Sequence, residues 1–426
     1  MSIFSKGHFV TPFNNQYVNK RTFIPRDERC PPTNLFQPSI LPGTRNNFGH
    51  EDPSSSTWCR RPKHFFVLSN AGKPIYSRYG DESRMSSLLG VLQAILSLVS
   101  DDNDTLQSIV TGHHKFVFLL KGPLYLVAVA QTDEPERQLQ CQLGYVYDQI
   151  LSIVSLGQIR RIFESRHNFD LRKLITGTEG MLDHLIDHLS NNFSFALGSV
   201  ESVRLPVPLR QRLGIALKLA KSTNVLYAVL ATGMKLITLL RPKTVTLYAS
   251  DLHILLSTVD SFSSFKIGEH WIPICLPKFN AEGFLHVYIC YITSHTCLLL
   301  LSTDKNRFAE MSEIKTNVVD KLTRTGDLQK LDQLLDESPY TSADTGIPAL
   351  RQFYYRSHKY TQHTGSYFGE PYVKLQEQQS LLEKYHLAWS CLRDKNQPIR
   401  IYHQTTATEA IIGWWKKVDH TRGAIY

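Results

Sequence analysis

No two of the seven cysteines stand three residues apart, no HExxH or Cys/His quartet occurs, and no GxGxxG or GxxxxGKS loop is present. These absences remove the usual zinc ribbon, the metalloprotease and a self-contained cradle for a nucleotide phosphate. No apolar run is long enough to span a bilayer, and MSIFSKGHF at the start lacks the apolar core of a signal peptide. Clusters of five or more basic residues are missing too, although Lys plus Arg exceed Asp plus Glu by 47 to 38, a formal charge of +9. Such a surplus suits anionic lipid, nucleic acid or an acidic protein face, or is an ordinary basic surface. Cys141, Cys275, Cys290, Cys297 and Cys391 lie mostly beside apolar residues and read as buried thiols of a reducing compartment, unlike Cys30 and Cys59. The expectation is a soluble, cytoplasmic chain whose membrane contact is peripheral.

What is present begins at Lys63. Strand-length apolar pieces flank Asn70-Ala71-Gly72, and helical spacing follows at Met85, Leu88, Leu89, Leu92, Ile95, Leu96 and Val99. Three strands are then predicted at 106–111, 115–121 and 124–130, with turns at Gly112 and Gly122-Pro123, before Pro135-Glu136 opens another helix. The order hairpin, helix, strands, helix describes a small antiparallel sheet covered by helices. A second block from Asn224 repeats that order with hardly any repeated residues, which points to duplicated α/β domains.

The predicted division is a disordered tail over 1–60, a first domain with a helical extension over 61–198, a connector over 199–223, a second domain over 224–331 and a third over 332–426. In the last, a hairpin-like start at 350–355, a helix at 376–391, a strand near 399–402 and a helical piece containing Trp414 and Trp415 leave the closing strands unaccounted for. That sheet is then completed by a partner or incompletely represented.

Chemistry-bearing constellations are sparse. His184 and His188 share a helix face and could chelate one ion as a pair, as Asp183 and Asp187 share another. Two histidines fall short of a zinc site, so both pairs read as polar flanks of an apolar stripe and no metal or cofactor is expected. No serine or cysteine nucleophile can be given a base with a supporting carboxylate. Phe65, Phe66, Phe116 and Phe118 stand on strands, as stacking aromatics do in sheet-based RNA binders, but their apolar surroundings favour a core, and nucleic acid is not an expected ligand. What remains is a surface made by hairpin and helix, with Tyr and Arg of the kind that anchor interfaces.

KHFFVLSNAGKPIYSRYGDE, LGYVYDQILSIVSLGQI, DLRKLITGTEG and WIPICLPKFNAEGFLHVYI closely resemble the Mon-type vacuolar fusion proteins, or SAND family. The resemblance runs strongly from about Lys63 to Leu350 and more weakly through GIPALRQFYYRS. It implies serial longin-like domains, each a five-stranded antiparallel sheet packed against helices. It also implies a non-enzymatic subunit that works with a Ccz-type longin protein as a guanine-nucleotide exchange factor. The substrate GTPase would be a late-endosomal or vacuolar Rab of the Rab-seven class. Further partners implied are an active early-endosomal Rab, a third scaffolding subunit and a phosphoinositide membrane surface, with recruitment to late endosome, lysosome or vacuole. Carried onto this chain, the GTPase and partner surface falls on Asn70, Lys73, Tyr76, Arg78, Arg84 and Ser87, although Asn70 with Gly72 also suits a plain tight turn. Lipid contact falls on Arg204, Arg210, Arg212, Lys218 and Lys221. A non-catalytic trafficking scaffold is the competing reading.

Overall fold

The computed structural model describes residues 51–101, 105–165, 169–337, 340–357, 360–394, 399–415 and 423–425. Of the tail predicted over 1–60, residues 1–50 lie outside the described residues, whereas 51–60 do not. Ser55 Oγ accepts from the Trp58 amide and starts a helical turn, α1 (Ser56–Cys59). The Trp58 indole then donates to Tyr79 O at 3.3 Å and packs on the first sheet's outer face.

Alternating apolar residues become β1 (Lys63–Ser69) and β2 (Pro74–Ser77), followed by α2 (Ser86–Asp101), β3 (Ser108–Thr111), β4 (His114–Lys121) and β5 (Leu124–Ala130). The sheet order is β2-β1-β5-β4-β3, antiparallel throughout. Because successive side chains alternate faces, Phe66, Leu68, Phe118 and Val127 meet Met85, Leu89, Leu92 and Leu96 of the α2 segment, while Phe65, Val67, Val117, Leu126 and Ala128 face the other way. The phenylalanines considered as a stacking platform are therefore core residues: Phe65, Phe66 and Phe118 are buried, and Phe116 packs against the same cluster as Phe66.

That second face is covered by α3 (Glu136–Ile153), which Pro135 precedes in extended conformation. The chain continues through α4 (Leu156–Ser165), the turn α5 (Arg172–Ile175), α6 (Glu179–Asn191) and the turn α7 (Ser194–Leu197). The apolar stripe of α6, Leu182, Leu185, Ile186 and Leu189, closes the same core.

The stretch expected to be a connector is built into the fold. Its β6 (Val200–Glu201) pairs in parallel with a strand of the third sheet, and α8 (Val207–Leu217) buries Leu209, Leu213 and Leu217 on the second sheet. That sheet comprises β7 (Tyr227–Thr232), β8 (Lys235–Leu240), β9 (Glu269–Ile274), β10 (Leu285–Tyr291) and β11 (Cys297–Ser302), in the order β8-β7-β11-β10-β9. The strand circuit of the first sheet is thus repeated, down to a register shift beside each hairpin turn, between Val67 and Leu68 in one and Leu230 and Ala231 in the other. Between β8 and β9 runs α9 (Ala249–Asp260), the counterpart of α2, followed by the turn α10 (Pro277–Asn280) before β10. Asp251 accepts from the Lys278 and Phe279 amides and so fixes α10 against α9. After β11 come α11 (Phe308–Arg324) and α12 (Asp327–Asp336).

The third sheet corrects the expectation of missing closing strands. It contains β12 (Tyr354–Ser357) and β13 (Gln362–Gly365), then α13 (Leu375–Leu392), β14 (Ile401–Thr405), β15 (Ala410–Trp415) and β16 (Gly423–Ile425). Their order, β14-β15-β16-β12-β13 with β6 added at the edge, is the same circuit a third time. The run containing Trp414 and Trp415 is a strand rather than a helical piece, paired with Ile401 to Thr405. A six-residue apolar run carries too few positions to separate a period of two from one of 3.6.

Candidate functional site

The helices α2 and α9 occupy equivalent places after their hairpins but have unlike surroundings. All residues of α9 from Asp251 to Val259 are buried, because one side packs on the second sheet and Ile254 on the other enters the first domain's core. Among the described residues, only the sheet-facing side of α2 is covered. Leu89, Leu92 and Leu96 are buried, each stabilising the fold by ~1.5–3 kcal/mol, while Leu88, Val91 and Leu98 on the outer side are 39, 57 and 70% exposed. With half-buried Ile95 these form a stripe at helical spacing, lined by exposed Ser87, Gly90 and Ala94.

The hairpin end of this face is fixed locally. Ser69 Oγ accepts from the Lys73 amide, and Asn70 O accepts from Gln93 Nε2 of α2 at 2.7 Å. Gly72 has φ +74°, and a Cβ there would lie 3.1 Å from Gln93 Cγ, so glycine satisfies both the turn and the close approach of the helix. Asn70 and Lys73 at the tip, and Arg84 and Ser87 at the start of the helix, are exposed.

Tyr76 and Arg78 are corrections: both are buried. Tyr76 Oη donates to Asp183 Oδ1 at 2.5 Å, and Arg78 lies 3.6 Å from Asp183 and 2.7 Å from Asp187. Burial, and then the Asp183 charge, push the Tyr76 phenol well above its ordinary range, so it remains a donor. Burial disfavours the Arg78 cation, but Tyr76, Asp183 and Asp187 outweigh it and hold the guanidinium charged. These residues lock β2 to α6 and form no part of the exposed face.

The other side of α6 faces α9. His184 Nε2 is 3.2 Å and His188 Nε2 3.9 Å from Asp260 Oδ2. Burial lowers the His188 pKa to about 4, with His184 adding to the effect. Asp260 stays below the usual carboxylate range although burial opposes this, because His184 and His188 favour its charged form.

Among the basic residues considered for lipid, Arg204 stacks over the Tyr340 ring at 3.9 Å and Arg212 pairs with Asp327 at 2.8 Å. Arg210 is half-buried and donates to the Ile237 and Val203 carbonyls, which makes it a brace for the second sheet rather than a lipid contact. Lys218 and Lys221 are exposed, beside exposed Ile215 and Leu219.

Sequence reasoning missed Val91 and Leu98, which stand outward on α2 and lie outside the apolar series that begins at Met85. The available signal was that these two residues are apolar at positions the sheet-facing stripe does not need.

Nothing in this geometry, among the described residues, resembles a reaction centre. Two consecutive five-stranded sheets with the same circuit and the same helix placement define a tandem longin-domain protein. The family models for the "First Longin domain of FUZ, MON1 and HPS1" and the "Second Longin domain of FUZ, MON1 and HPS1" match residues 63–185 and 223–320. Protein SAND of Takifugu rubripes is 39% identical over 377 residues, covering 88% of this chain and 72% of that protein. Vacuolar fusion protein MON1 homolog A of Gallus gallus is 38% identical, covering 88% and 68%, and Vacuolar fusion protein MON1 of Cryptococcus neoformans is 37% identical, covering 84% and 59%. The chain belongs to the MON1 family of vacuolar fusion proteins. Among the described residues no helix is long and apolar enough to cross a membrane.

Proposed function

We propose that this chain is a subunit of a heteromeric guanine-nucleotide exchange factor, acting with a Ccz-type longin protein on a late-endosomal or vacuolar Rab GTPase of the Rab-seven class. The observation that carries the reading is the uncovered outer face of α2. Its counterpart α9 is covered by the first domain, and the outer stripe of Leu88, Val91, Ile95 and Leu98 fits an equivalent layer supplied by another chain. Asn70, Lys73, Arg84 and Ser87 edge that stripe and are assigned to the partner and GTPase surface. Exchange needs no covalent step; it requires tighter binding to the nucleotide-poor GTPase than to the loaded one, which matches a site made of surface.

The third sheet, with its repeated circuit, is assigned as a further longin-like domain. Recruitment to late endosome, lysosome or vacuole membranes would use an active early-endosomal Rab and phosphoinositide headgroups. A third scaffolding subunit completes the set of partners, and Lys218 and Lys221 with Ile215 and Leu219 are the lipid-facing residues.

The test is release of labelled GDP from the late Rab. The chain with its partner accelerates release, and Leu88→Asp with Val91→Asp abolishes both partner capture and acceleration. Partner binding without acceleration would instead establish a scaffold. Retention on nucleic acid that falls steeply with salt would establish a nucleic-acid binder.

A further inference from the structure

We propose that His184, His188 and Asp260 form a transition-metal site that takes zinc and clamps α6 of the first domain to α9 of the second. The three ligand atoms come together within 4.8 Å of one another. One helical turn places the two imidazoles on the same face, with ring centroids 4.5 Å apart, and Asp260 closes the triangle from the last residue of α9. Ligands held at ~2.0–2.1 Å around a tetrahedral zinc lie about 3.4 Å from each other. The separations of 3.2 and 3.9 Å from Asp260 Oδ2 to the two Nε2 atoms bracket that value, so a small rotation of the His188 ring completes the arrangement.

Two features favour an ion over a simple polar contact. His184 Nε2 is buried and makes no hydrogen bond of acceptable geometry, despite its approach to the Asp260 carboxylate. A cation between them engages the ring nitrogen and the carboxylate together, which a proton held at that poor geometry does less well. The site is also accessible: the three side chains are 27, 30 and 29% exposed, which leaves a way in for the ion and a fourth position for water. Two imidazoles with one carboxylate suit zinc better than calcium or magnesium, which prefer oxygen ligands.

The clamp has a consequence for the exposed face. The adjacent positions of α6, Asp183 and Asp187, hold Tyr76 and Arg78 of the hairpin. A metal on His184 and His188 therefore fixes the same helix that fixes β2.

The experiment is a titration of the full chain, first stripped with chelator, with zinc and with cobalt(II). The expected result is one equivalent bound at micromolar free metal and a rise in thermal midpoint with zinc. Cobalt(II) should give a ligand-field spectrum lacking the charge-transfer band that a cysteine thiolate would add. His188→Ala and Asp260→Asn should each weaken binding by more than about tenfold, while His113→Ala should not. Absence of binding by the wild-type chain at micromolar zinc overturns the proposal, as does stoichiometric binding that persists in His188→Ala. If a variant fails to fold, the wild-type titration and its cobalt spectrum still decide.

Discussion

Tyr76 and Asp183 are 107 residues apart in sequence and share a buried hydrogen bond of 2.5 Å, with the phenol donating to the carboxylate. Asp183 also faces Arg78, whose side chain is nearly inaccessible. Deleting the carboxylate leaves a buried cation with half-exposed Asp187 as its near counter-ion, whereas deleting the phenol removes one hydrogen bond. Asp183→Ala should therefore lower unfolding free energy by about 3–5 kcal/mol, and Tyr76→Phe by about 1 kcal/mol. Urea denaturation measures both, and equal losses would refute the charge-burial argument.

At the hairpin tip, Gly72→Ala tests whether the turn positions α2. The left-handed backbone costs an alanine about 1–2 kcal/mol, and its Cβ presses on Gln93 Cγ. The unfolding free energy should fall by that amount, lowering the midpoint of denaturation. The Gln93 side chain, which bonds Asn70 O, should lose its fixed position, visible as a shifted side-chain amide resonance. An unchanged resonance and midpoint would show that the turn tolerates a side chain.

A neutral-histidine relay joins α3 and α9 to the third sheet. Tyr145 bonds His253 Nδ1 at 3.1 Å, His253 Nε2 donates to Ser199 O, and Ser199 Oγ meets His363 Nδ1. Burial lowers the pKa of His253 to about 4 and that of His363 to about 3, with His253 adding to the latter. Both values lie below the ordinary one, so the folded chain binds fewer protons than the unfolded chain. The stabilisation is complete above pH ~6.5 and declines as pH falls toward these folded values. Each histidine contributes a slope of about 1.4 kcal/mol per pH unit within that window. Urea midpoints taken from pH 7.5 down to 4.5 should fall steeply, and His253→Asn should be less stable at neutral pH but show a shallower decline. A parallel decline in the variant would remove His253 as a source of the acid sensitivity.

The hairpins and the duplication were legible in the sequence because their partners are near neighbours: a turn at Gly72 or Gly233 and alternating residues on either side determine each pair. Asn70, Lys73, Arg84 and Ser87 belong to the turn and the helix start, and they are exposed. Tyr76 and Arg78 are not, since the carboxylates that draw them inward lie on α6, more than 100 residues later. Asp260 is likewise remote from His184 and His188, so the pair alone gave no third ligand. Burial of α8 was hidden by Pro206 before it, Pro208 within it and its basic residues, which suit a linker until the second sheet is in place. Distance along the chain, rather than ambiguity of chemistry, separates these cases.

Leu96 and Leu98 on α2 separate folding from association. Leu96 is 1% exposed under the sheet and Leu98 is 70% exposed on the outer face. Leu96→Ala opens a cavity and should cost about 2–5 kcal/mol. Leu98→Ala should change the stability of the isolated chain by no more than about 0.5 kcal/mol. If the outer stripe receives a partner, the order reverses when dissociation of the complex is measured at a temperature where both variants are folded. Leu98→Ala should then release the partner faster, while Leu96→Ala retains the wild-type rate. Equal release from both variants would mean that the partner sits elsewhere, and the uncovered side of α2 would have to be explained without it.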